Sequence, residues 1–463
     1  MVPIAISEIA EAVNGRFISG GPGGIVTSVC TDSREAGGGA LFIPLIGENH
    51  DAHRFIPQAF ENGCRDFMVS EPDKAPEGAN VILVEDTLDA MQALAKHCLE
   101  KLDIRRVAVT GSVGKTTTRD MLYYIMSEKY VTGKPIKNFN NQVGVPITVF
   151  SFEEGVQAGV FEEGMDHAGE IHRVTNIVRP EVAVITNIGV SHIEFFENGR
   201  EGIRAAKLEI TDFMDSSNVL VINASNDMLS KDGIEGDFRI VTVGYEDDFD
   251  WQVSGVKEHG LTGTEFILTH DGTSRKIELP VAGEHNAVNA ALAIAAASEF
   301  GIDIDQAQNG LRNLDITGSR LRTEERGGIT VIDDSYNAAP DSMISAVKTL
   351  ANSNGKRKIA ILADMNELGS DSETLHKNVG AAAAHTDIDI LMTVGEKARA
   401  IASGAEAEAA AAGRVKPLGI FTYGSLDEMK NAADVVFAEG DVVLLKGSNS
   451  TGIGNAKVIV FGE

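Results

Sequence analysis

Cysteine is scarce in this chain, and long apolar runs are missing. The three cysteines, Cys30, Cys64 and Cys98, lack metal-ligand spacing, and an odd number suits a reducing compartment better than a disulfide framework. No apolar run approaches the roughly 20 residues that a membrane-spanning helix needs. The first residues also lack a basic segment followed by an apolar one. These absences predict a cytoplasmic protein that does not enter a membrane.

Positive charge is also in short supply. Lysine and arginine number 40 against 68 aspartates and glutamates, which gives a net charge of −28. Because such a surface repels nucleic-acid phosphates, we expect no nucleic-acid partner. The glycines at 447, 452 and 454 lack the dinucleotide-binding spacing, so we expect no nicotinamide cofactor. With 463 residues the chain is too long for one core and should contain roughly three domains.

The most informative segment is a glycine-rich turn between a predicted strand (107–110) and a predicted helix (116–126). Its sequence, Gly-Ser-x-Gly-Lys-Thr-Thr, is a short P-loop variant with Val109 where the longer pattern has glycine. The alternative is an ordinary turn with a chance Gly-Lys-Thr. In a P-loop, backbone N–H groups surround a phosphate, the lysine reaches the terminal phosphates and the next hydroxyl binds Mg²⁺. The predicted triphosphate site consists of Gly111, Ser112, Val113, Gly114, Lys115, Thr116 and Thr117.

Alternating strand and helix patterns divide the chain into three α/β blocks, and we place the domains at 1–103, 104–313 and 314–463. The predicted strands lie at 40–45, 81–84, 182–187, 329–332, 359–362, 390–394 and 442–445. The predicted helices lie at 52–61, 87–101 and 287–299, the last alanine-rich and amphipathic, and 405–412 is predicted to be a helix end. Residues 238–280 predict a small antiparallel sheet on the flank of the central domain, and the third block predicts a second parallel sheet.

Residues that follow apolar strands are the candidates for holding Mg²⁺. Asp333 and Asp334 end a strand as the metal-binding aspartate of many P-loop ATPases does, but they open a separate block. If that strand lies outside the P-loop sheet, Glu162 and His192 are the alternatives, although Mg²⁺ prefers carboxylate to imidazole. Spacing alone leaves a solvated acid at 162 and a hydrogen-bonded loop histidine at 192 equally open.

Two amide-rich segments have no role that spacing can assign. Residues 138–146 precede a predicted strand and either orient a polar ligand or form an asparagine-rich turn. Asn286, at the start of the alanine-rich helix, is a candidate N-cap residue.

Taken together, these segments resemble the Mur ligases over nearly the whole chain, and among them most the member that adds D-Ala-D-Ala to UDP-MurNAc-tripeptide. The shared motifs are Thr-Asp32-Ser-Arg34, Gly47-x-x-x-Asp51-x-His53, the P-loop, Asn138 to Pro146, Glu162-x-Gly, Gly169-Glu170-Ile171, Thr-Asn187-Ile-Gly-x-Ser-His192-Ile-Glu194, Ala206-Lys207-x-Glu209-Ile210, Gly-x-His285-Asn-x-x-Asn289, Asp333-Asp-Ser-Tyr336-Asn337-Ala-x-Pro340, Asp364-Met-x-Glu367-Leu-Gly369 and Lys446-Gly-Ser448. The resemblance implies a small N-terminal α/β domain for the UDP-substrate, a central P-loop mononucleotide-binding domain with a parallel sheet, and a C-terminal Rossmann-like α/β domain.

The resemblance also implies roles for individual residues. It implies that the catalytic residues are Lys115, Glu162, His192 and Lys207. A pair of Mg²⁺ ions is held by Thr116, Glu162, His192 and Lys207, the last as a carbamate; a solvated helix lysine is the alternative. Beyond the P-loop, ATP is contacted by Asn286, Asn289, Arg320 and Asp334. The implied substrates are UDP-MurNAc-tripeptide and D-Ala-D-Ala. The residues implied to bind them are Asp32, Ser33, Arg34, Asp51, His53, Asn140, Asn141, Tyr336 and Asn337. The protein is expected to be a monomer.

The chain departs from the family pattern at four positions. Ala52 and Ala363 stand where the family often has glycine, Ala339 where it has asparagine, and Asn449 where it has arginine. The last change removes a bidentate partner for a carboxylate, which leaves open how the third domain holds its peptide substrate. A Mur-type ligase with a different amine or acceptor is therefore an alternative. A P-loop nucleotide switch is a second one, although no Asn-Lys-x-Asp signature is present and only Asp166-x-x-Gly169 imitates a switch element.

Overall fold

The computed structural model describes residues 1–47, 50–409, 416–432 and 434–462. Within these ranges the chain folds around three large sheets and one two-stranded sheet. The N-terminal elements are β1 (Ile4–Ala5), α1 (Ile6–Ala12), β2 (Arg16–Ser19), β3 (Ile25–Val26), β4 (Ser28–Cys30), β5 (Ala40–Phe42), α2 (Ile56–Glu61), β6 (Asp66–Val69), β7 (Asn80–Leu83) and α3 (Thr87–Leu102). The main N-terminal sheet has the order β2-β7-β6-β5-β4. The helix predicted at 52–61 begins as a 3₁₀ turn (Ala52–Phe55), and the strand predicted at 40–45 is shorter.

Helix α3 joins the N-terminal domain to the centre of the molecule. Asp86 caps it by accepting hydrogen bonds from the N–H groups of Leu88 and Asp89, and it ends at Asp103 in a left-handed conformation. Its buried face, which includes Met91 and Leu94, belongs to an apolar cluster that continues into the central domain. The two domains are therefore joined by shared apolar packing.

The central domain carries the P-loop. Its elements are β8 (Arg105–Thr110), α4 (Lys115–Met126), β9 (Thr132–Gly133), α5 (Gly144–Ser151), β10 (Ala158–Glu162), α6 (Glu170–Val178), β11 (Val182–Ile185), α7 (Arg200–Leu208), β12 (Val219–Asn223), β13 (Arg239–Gly244), β14 (Trp251–Glu258), β15 (Thr264–His270), β16 (Thr273–Leu279), α8 (His285–Ser298) and α9 (Ile304–Arg312). The sheet order is β16-β15-β14-β13-β12-β11-β8-β10-β9. Strands β8 to β14 pair in parallel, so the carboxyl ends of β8, β10 and β11 lie at one edge, where ligands bind in open α/β sheets.

Three central predictions are corrected. The antiparallel strands β14 to β16 extend the P-loop sheet instead of forming a separate one, because β14 pairs in parallel with β13. The amide-rich segment leads into helix α5 and not a strand, since Asn141 Oδ1 accepts from the N–H groups of Val143 and Gly144. Helix α8 is buried from Asn286 to Ala297 and so is not amphipathic. Its small alanine side chains let it pack closely against α4 and the sheet.

The C-terminal domain has a mixed sheet. Its elements are β17 (Arg322–Arg326), β18 (Ile329–Asp333), α10 (Pro340–Ala351), β19 (Arg357–Ala363), α11 (Ser372–Ala384), β20 (Ile390–Val394), α12 (Arg399–Ala409), β21 (Gly419–Tyr423), α13 (Leu426–Ala432), β22 (Asp441–Lys446) and α14 (Ala456–Phe461). The order is β17-β18-β22-β19-β20-β21, and only the edge strand β17 runs antiparallel to its neighbour. The prediction of a parallel sheet therefore fails at this edge. Part of the helix end predicted at 405–412 lies outside the described residues.

The described helices include none with the length and apolar character that crossing a bilayer requires.

A buried carboxyl group in the central domain predicts a pH effect on stability. Glu163 accepts a hydrogen bond from Thr175, but its Oε1 has no hydrogen-bond partner among the described residues, and burial raises its pKa to about 8. Folding then keeps a proton that the unfolded chain releases near its ordinary pKa, so stability falls as the pH rises from about 4.5 to 8. We expect Glu163→Gln to flatten this fall, which is on the order of 4 kcal/mol. Urea unfolding at pH 5 and pH 8 measures it; an unchanged slope in the variant contradicts the assignment.

Candidate functional site

A cleft of about 1570 Å³ lies between the central and C-terminal domains. The P-loop, the residues after β10 and β11, the start of α8 and several C-terminal loops line it. The predicted site residues that it brings together are Ser112, Val113, Gly114, Lys115, Thr116, Thr117, Asn140, Asn141, Glu162, His192, Asn286, Asn289, Arg320, Asp334, Tyr336 and Asn337. Most of the predicted nucleotide, metal and peptide candidates therefore share one cleft.

The P-loop adopts a conformation that requires glycine at two positions. Gly111 and Gly114 have φ angles of +148° and +85°. A Cβ atom at Gly114 would lie 2.8 Å from Asn289 Oδ1, so a larger residue would close the cradle. The N–H of Val113 donates to Asn187 Oδ1 at 2.9 Å, which fixes the loop against the end of β11. The turn is thus a built anion cradle at the start of α4 and not an incidental glycine turn.

Lys115 is folded back over this cradle. Its Nζ donates to the carbonyl oxygens of Gly111 at 2.7 Å and Ser112 at 3.4 Å. Burial lowers its pKa, and the nearby charge of Glu162 opposes this shift without reversing it. A cation at this position would interact favourably with a terminal phosphate.

Glu162 and Thr116 meet beside the loop. Thr116 Oγ1 donates to Glu162 Oε2 at 2.8 Å, and Asn140 Nδ2 donates to Oε1 at 3.0 Å. Glu162 is only 1% exposed, so it is not the solvated acid that its sequence position allowed. A hydroxyl and a carboxylate at the phosphate cradle are oxygen ligands of the type that Mg²⁺ prefers, and this pair fits the ion.

His192 lines the same cleft as the loop, in a left-handed conformation with φ of +64°. Its Nδ1 is 2.6 Å from Glu367 Oε2 and 3.2 Å from Asp166 Oδ1, yet it has no hydrogen-bond partner of proper geometry among the described residues. Burial lowers its pKa to about 4, and the charges of Lys115 and Lys207 act in the same direction. A neutral imidazole nitrogen with two adjacent carboxylates fits a divalent cation.

Lys207 is buried beside this cleft without lining it. It lies on α7 and is 1% exposed. Burial lowers its pKa well below the usual range, and the charge of Lys115 lowers it further. The solvated helix lysine is therefore excluded, since the side chain is buried.

The side-chain amides of two asparagines at the start of α8 form consecutive hydrogen bonds. Asn289 Nδ2 donates to Asn286 Oδ1 at 3.1 Å, and Asn286 Nδ2 donates to the carbonyl of Ala282 at 2.7 Å. Asn286 is therefore not the N-cap, because its side-chain oxygen accepts from Asn289 and not from a backbone N–H of the first turn. Both amides line the cleft beside the P-loop.

The C-terminal domain closes the cleft with an arginine on an aromatic ring. The Arg320 guanidinium lies 4.0 Å from the ring centroid of Tyr336. Asp334 binds Lys446 Nζ at 2.6 Å, and its pKa is raised because burial outweighs that cation. Asn449, which replaces the family arginine, donates to the carbonyl of Tyr336 at 3.3 Å. It thus supports this wall of the cleft.

Asp333 and the N-terminal candidates lie outside the cleft. Strand β18 belongs to the C-terminal sheet, and the Asp333 carboxylate instead meets Lys457 Nζ at 2.6 Å.

The N-terminal candidates form local contacts of their own. Arg34 pairs with Asp32 at 2.5 Å, and Ser33 Oγ donates to Gln58 at 2.7 Å. His53 is buried, with Nδ1 2.7 Å from Asp51 and Nε2 accepting from the Ser70 N–H at 3.2 Å. Asp51 and His53 therefore connect the 3₁₀ turn (Ala52–Phe55) to Ser70, the residue after β6.

The structure adds residues for which the sequence reasoning named no role. Asn187 holds the P-loop, Asp166 and Glu367 face His192, and Arg119 Nη1 donates to Glu162 at 3.3 Å. Asn187 and Glu367 occur in motifs shared with the family, and these motifs are the sequence signal that could have indicated a role for them. For Arg119 no pattern pointed to a role, because a charged residue in a helix is ordinarily solvated.

Comparisons with known proteins agree over most of the chain. Residues 109–297 match the family described as "Mur ligase middle domain", and residues 319–449 match "Mur ligase, glutamate ligase domain". A relative from Bacillus subtilis (strain 168), UDP-N-acetylmuramoyl-tripeptide–D-alanyl-D-alanine ligase, is 38% identical over 412 residues, 88% of each chain. A crystal structure of MurF from Acinetobacter baumannii has a TM-score of 0.90 at 29% identity, covering 100% of this chain and 99% of its own. MurF ligase from Thermotoga maritima in complex with ADP has a TM-score of 0.80 at 25% identity, covering 94% and 97%.

Proposed function

The chain belongs to the Mur ligase family, and from this premise we propose that it is an ATP-dependent amide ligase that adds D-Ala-D-Ala to UDP-MurNAc-tripeptide in peptidoglycan precursor synthesis. The observation that carries the proposal is the juxtaposition of Thr116, Glu162 and the P-loop in a cleft that the C-terminal domain closes with Arg320. This arrangement supports binding of a triphosphate by one domain and of an acceptor by another.

In the proposed reaction the terminal carboxylate of the tripeptide attacks the γ-phosphate of ATP, which gives an acyl phosphate and ADP. The amine of D-Ala-D-Ala then attacks the acyl carbon, and inorganic phosphate leaves. Two anions must approach in the first step, so the cations Lys115 and Arg320 stabilise the charge on the transferring group. Closure of the cleft excludes the water that would hydrolyse the acyl phosphate.

Mg²⁺ fits two places, one in this cleft and one at its border next to Lys207. Thr116 and Glu162 would hold one ion, and His192 with a carbamylated Lys207 would hold the other. Bound Mg²⁺ neutralises phosphate charge. Burial lowers the pKa of Lys207, which favours the deprotonated amine that adds to CO₂ and releases a proton to give a carbamate with anionic oxygen donors.

The remaining assignments follow from the family. Residues 1–103, with Asp32, Ser33, Arg34, Asp51 and His53, would bind the UDP-substrate, residues 104–313 would bind ATP, and residues 314–463 would complete the ligase site. Asn286 and Asn289 would contact adenine, Asp334 the ribose, and Asn140, Asn141, Tyr336 and Asn337 the peptide substrates. We propose a cytoplasmic monomer.

A coupled ADP-release assay with defined UDP-peptides tests the proposal. We expect release with D-Ala-D-Ala and at least tenfold less with diaminopimelate, lysine or D-Glu, since an unpaired polar or charged group in a buried site costs several kcal/mol. Preference for another amine indicates a different Mur-type ligase. ADP release that no amine stimulates indicates a nucleotide switch and contradicts the ligase assignment.

A further inference from the structure

A buried ion pair lies on the P-loop helix, and Asp120 of this pair has no role in the proposed chemistry. The side chains of Arg119 and Asp120 on α4 are both 0% exposed. Arg119 Nη2 donates to Asp120 Oδ1 at 2.8 Å, and Lys134 Nζ donates to the same oxygen at 2.8 Å. Burying such charges costs free energy even when they are paired, so an apolar pair could serve folding as well. Stability alone therefore does not explain why these two charged residues are buried here.

The second carboxylate oxygen of Asp120 binds the linker between two domains. Asp120 Oδ2 accepts a hydrogen bond from the backbone N–H of Thr317 at 2.7 Å. Thr317 lies in the segment 313–321, which joins α9 to β17 and so connects the central to the C-terminal domain. A hydrogen bond from an N–H to a buried carboxylate is charge-assisted and strong. The P-loop helix thus holds the linker directly.

Thr317 also contacts Arg320, which lines the cleft. Its carbonyl oxygen accepts from Arg320 Nη1 at 2.7 Å, and Gly318, with φ of +84°, lets the chain turn between the two residues. Arg320 in turn packs on Tyr336 and lines the cleft. The peptide groups on both sides of residue 317 are therefore fixed, one by the central domain and one by Arg320.

Arg119 links the same network to the carboxylate beside the P-loop. Its Nη1 donates to Glu162 Oε2 at 3.3 Å and to the carbonyl of Lys137 at 3.2 Å. One buried guanidinium therefore orients both Glu162 and Asp120, and it supplies charge that allows Asp120 to be buried as an anion.

We propose that Asp120 is a positioning residue: through Thr317 it fastens the interdomain linker to the P-loop helix and thereby holds Arg320 in the nucleotide cleft. The inference rests on the proposed function only in assigning that cleft to ATP. The attachment itself is a property of the protein without ligands.

Hydrogen exchange of the whole protein without ligands tests the attachment. Asp120→Asn removes the charge. Thr317→Pro removes the donated N–H and fixes φ at 317 while leaving the buried charges of α4 intact, so it is the second variant in case the first fails to fold. We expect the amides of 318–321 to exchange at least tenfold faster in both, because a lost charge-assisted bond is worth more than 1.4 kcal/mol. Thr317→Val keeps the N–H and serves as the matched control. Unchanged exchange of 318–321 in the folded variants overturns the proposal, as does an equal increase in the control.

Kinetics separate positioning from a merely structural role. We expect Asp120→Asn to lower kcat about tenfold while the Kd for ADP stays within twofold, because the P-loop itself is untouched. Combined with Arg320→Met, the Asp120→Asn change should cost nothing further, since both act through the same guanidinium. Additive losses overturn the positioning role. If the wild-type protein ligates no amine at all, the proposed function fails, while the exchange result still decides the attachment.

Discussion

Replacing Lys115 with alanine is expected to lower the rate of ligation by about 10³-fold while binding of the UDP-substrate persists. The Nζ of Lys115 is held over the P-loop by two backbone carbonyls and is the cation nearest the phosphate cradle. Its loss removes charge stabilisation where two anions must meet, but the N-terminal candidate residues lie outside this cleft. Calorimetric titration of the UDP-substrate, beside the ligation rate, measures both effects.

Lys231→Ala is the matched control for this change, since Lys231 is an exposed lysine of the same domain outside the cleft. It should leave both the rate and the affinity within twofold of the wild type. Joint loss of ligation and UDP-substrate binding in Lys115→Ala would show that the two domains do not work separately, which contradicts the assignment of roles.

Replacing Lys207 with alanine is expected to lower ligation by about 10²-fold or more, and short carboxylates such as acetate or formate should restore a large part of it. The substitution leaves a buried space at the position of the proposed carbamate, and a small carboxylate would supply the same oxygen donors. ¹³C-labelled bicarbonate should give a carbamate resonance in the wild-type protein that the variant lacks.

Chloride at equal ionic strength and Lys231→Ala with added acetate are the controls for this rescue, and neither should respond. If carboxylates restore nothing while the affinity for Mn²⁺ equals that of the wild type, Lys207 is a buried structural lysine and not a metal ligand.

The local pattern of the sequence predicted the P-loop well because the strand, turn and helix signals agreed with one another. The β-branched residues of β8, the glycines and the helical pattern of α4 all specify one turn, and Gly111 and Gly114 have the positive φ angles that such a turn requires. The predicted helix α3 was found almost to the residue for the same reason, since Asp86 marks its start.

Predictions failed where tertiary context decides. Nothing in the residues 238–280 reveals whether antiparallel strands form their own sheet or extend another, because this depends on the pairing of β14 with β13. The alanine pattern of α8 also looks amphipathic until the sheet and α4 cover both faces.

Candidate residues in the cleft could be gathered from the family motifs, but their interactions could not. His192 faces Glu367 of the C-terminal domain. This contact depends on the relative position of the C-terminal and central domains. The burial of Lys207 is likewise a consequence of packing around α7, and no sequence spacing shows it. Contacts across domains depend on rigid-body placement, which local patterns do not encode.

The most direct test of the account uses a tripeptide substrate whose terminal carboxylate carries ¹⁸O. If the cleft activates that carboxylate as an acyl phosphate, one labelled oxygen passes to the inorganic phosphate released with each amide bond formed. Mass spectrometry of the phosphate measures the transfer. We expect labelled phosphate in step with ligation of D-Ala-D-Ala, whereas unlabelled phosphate accompanying amide formation would rule out an acyl phosphate.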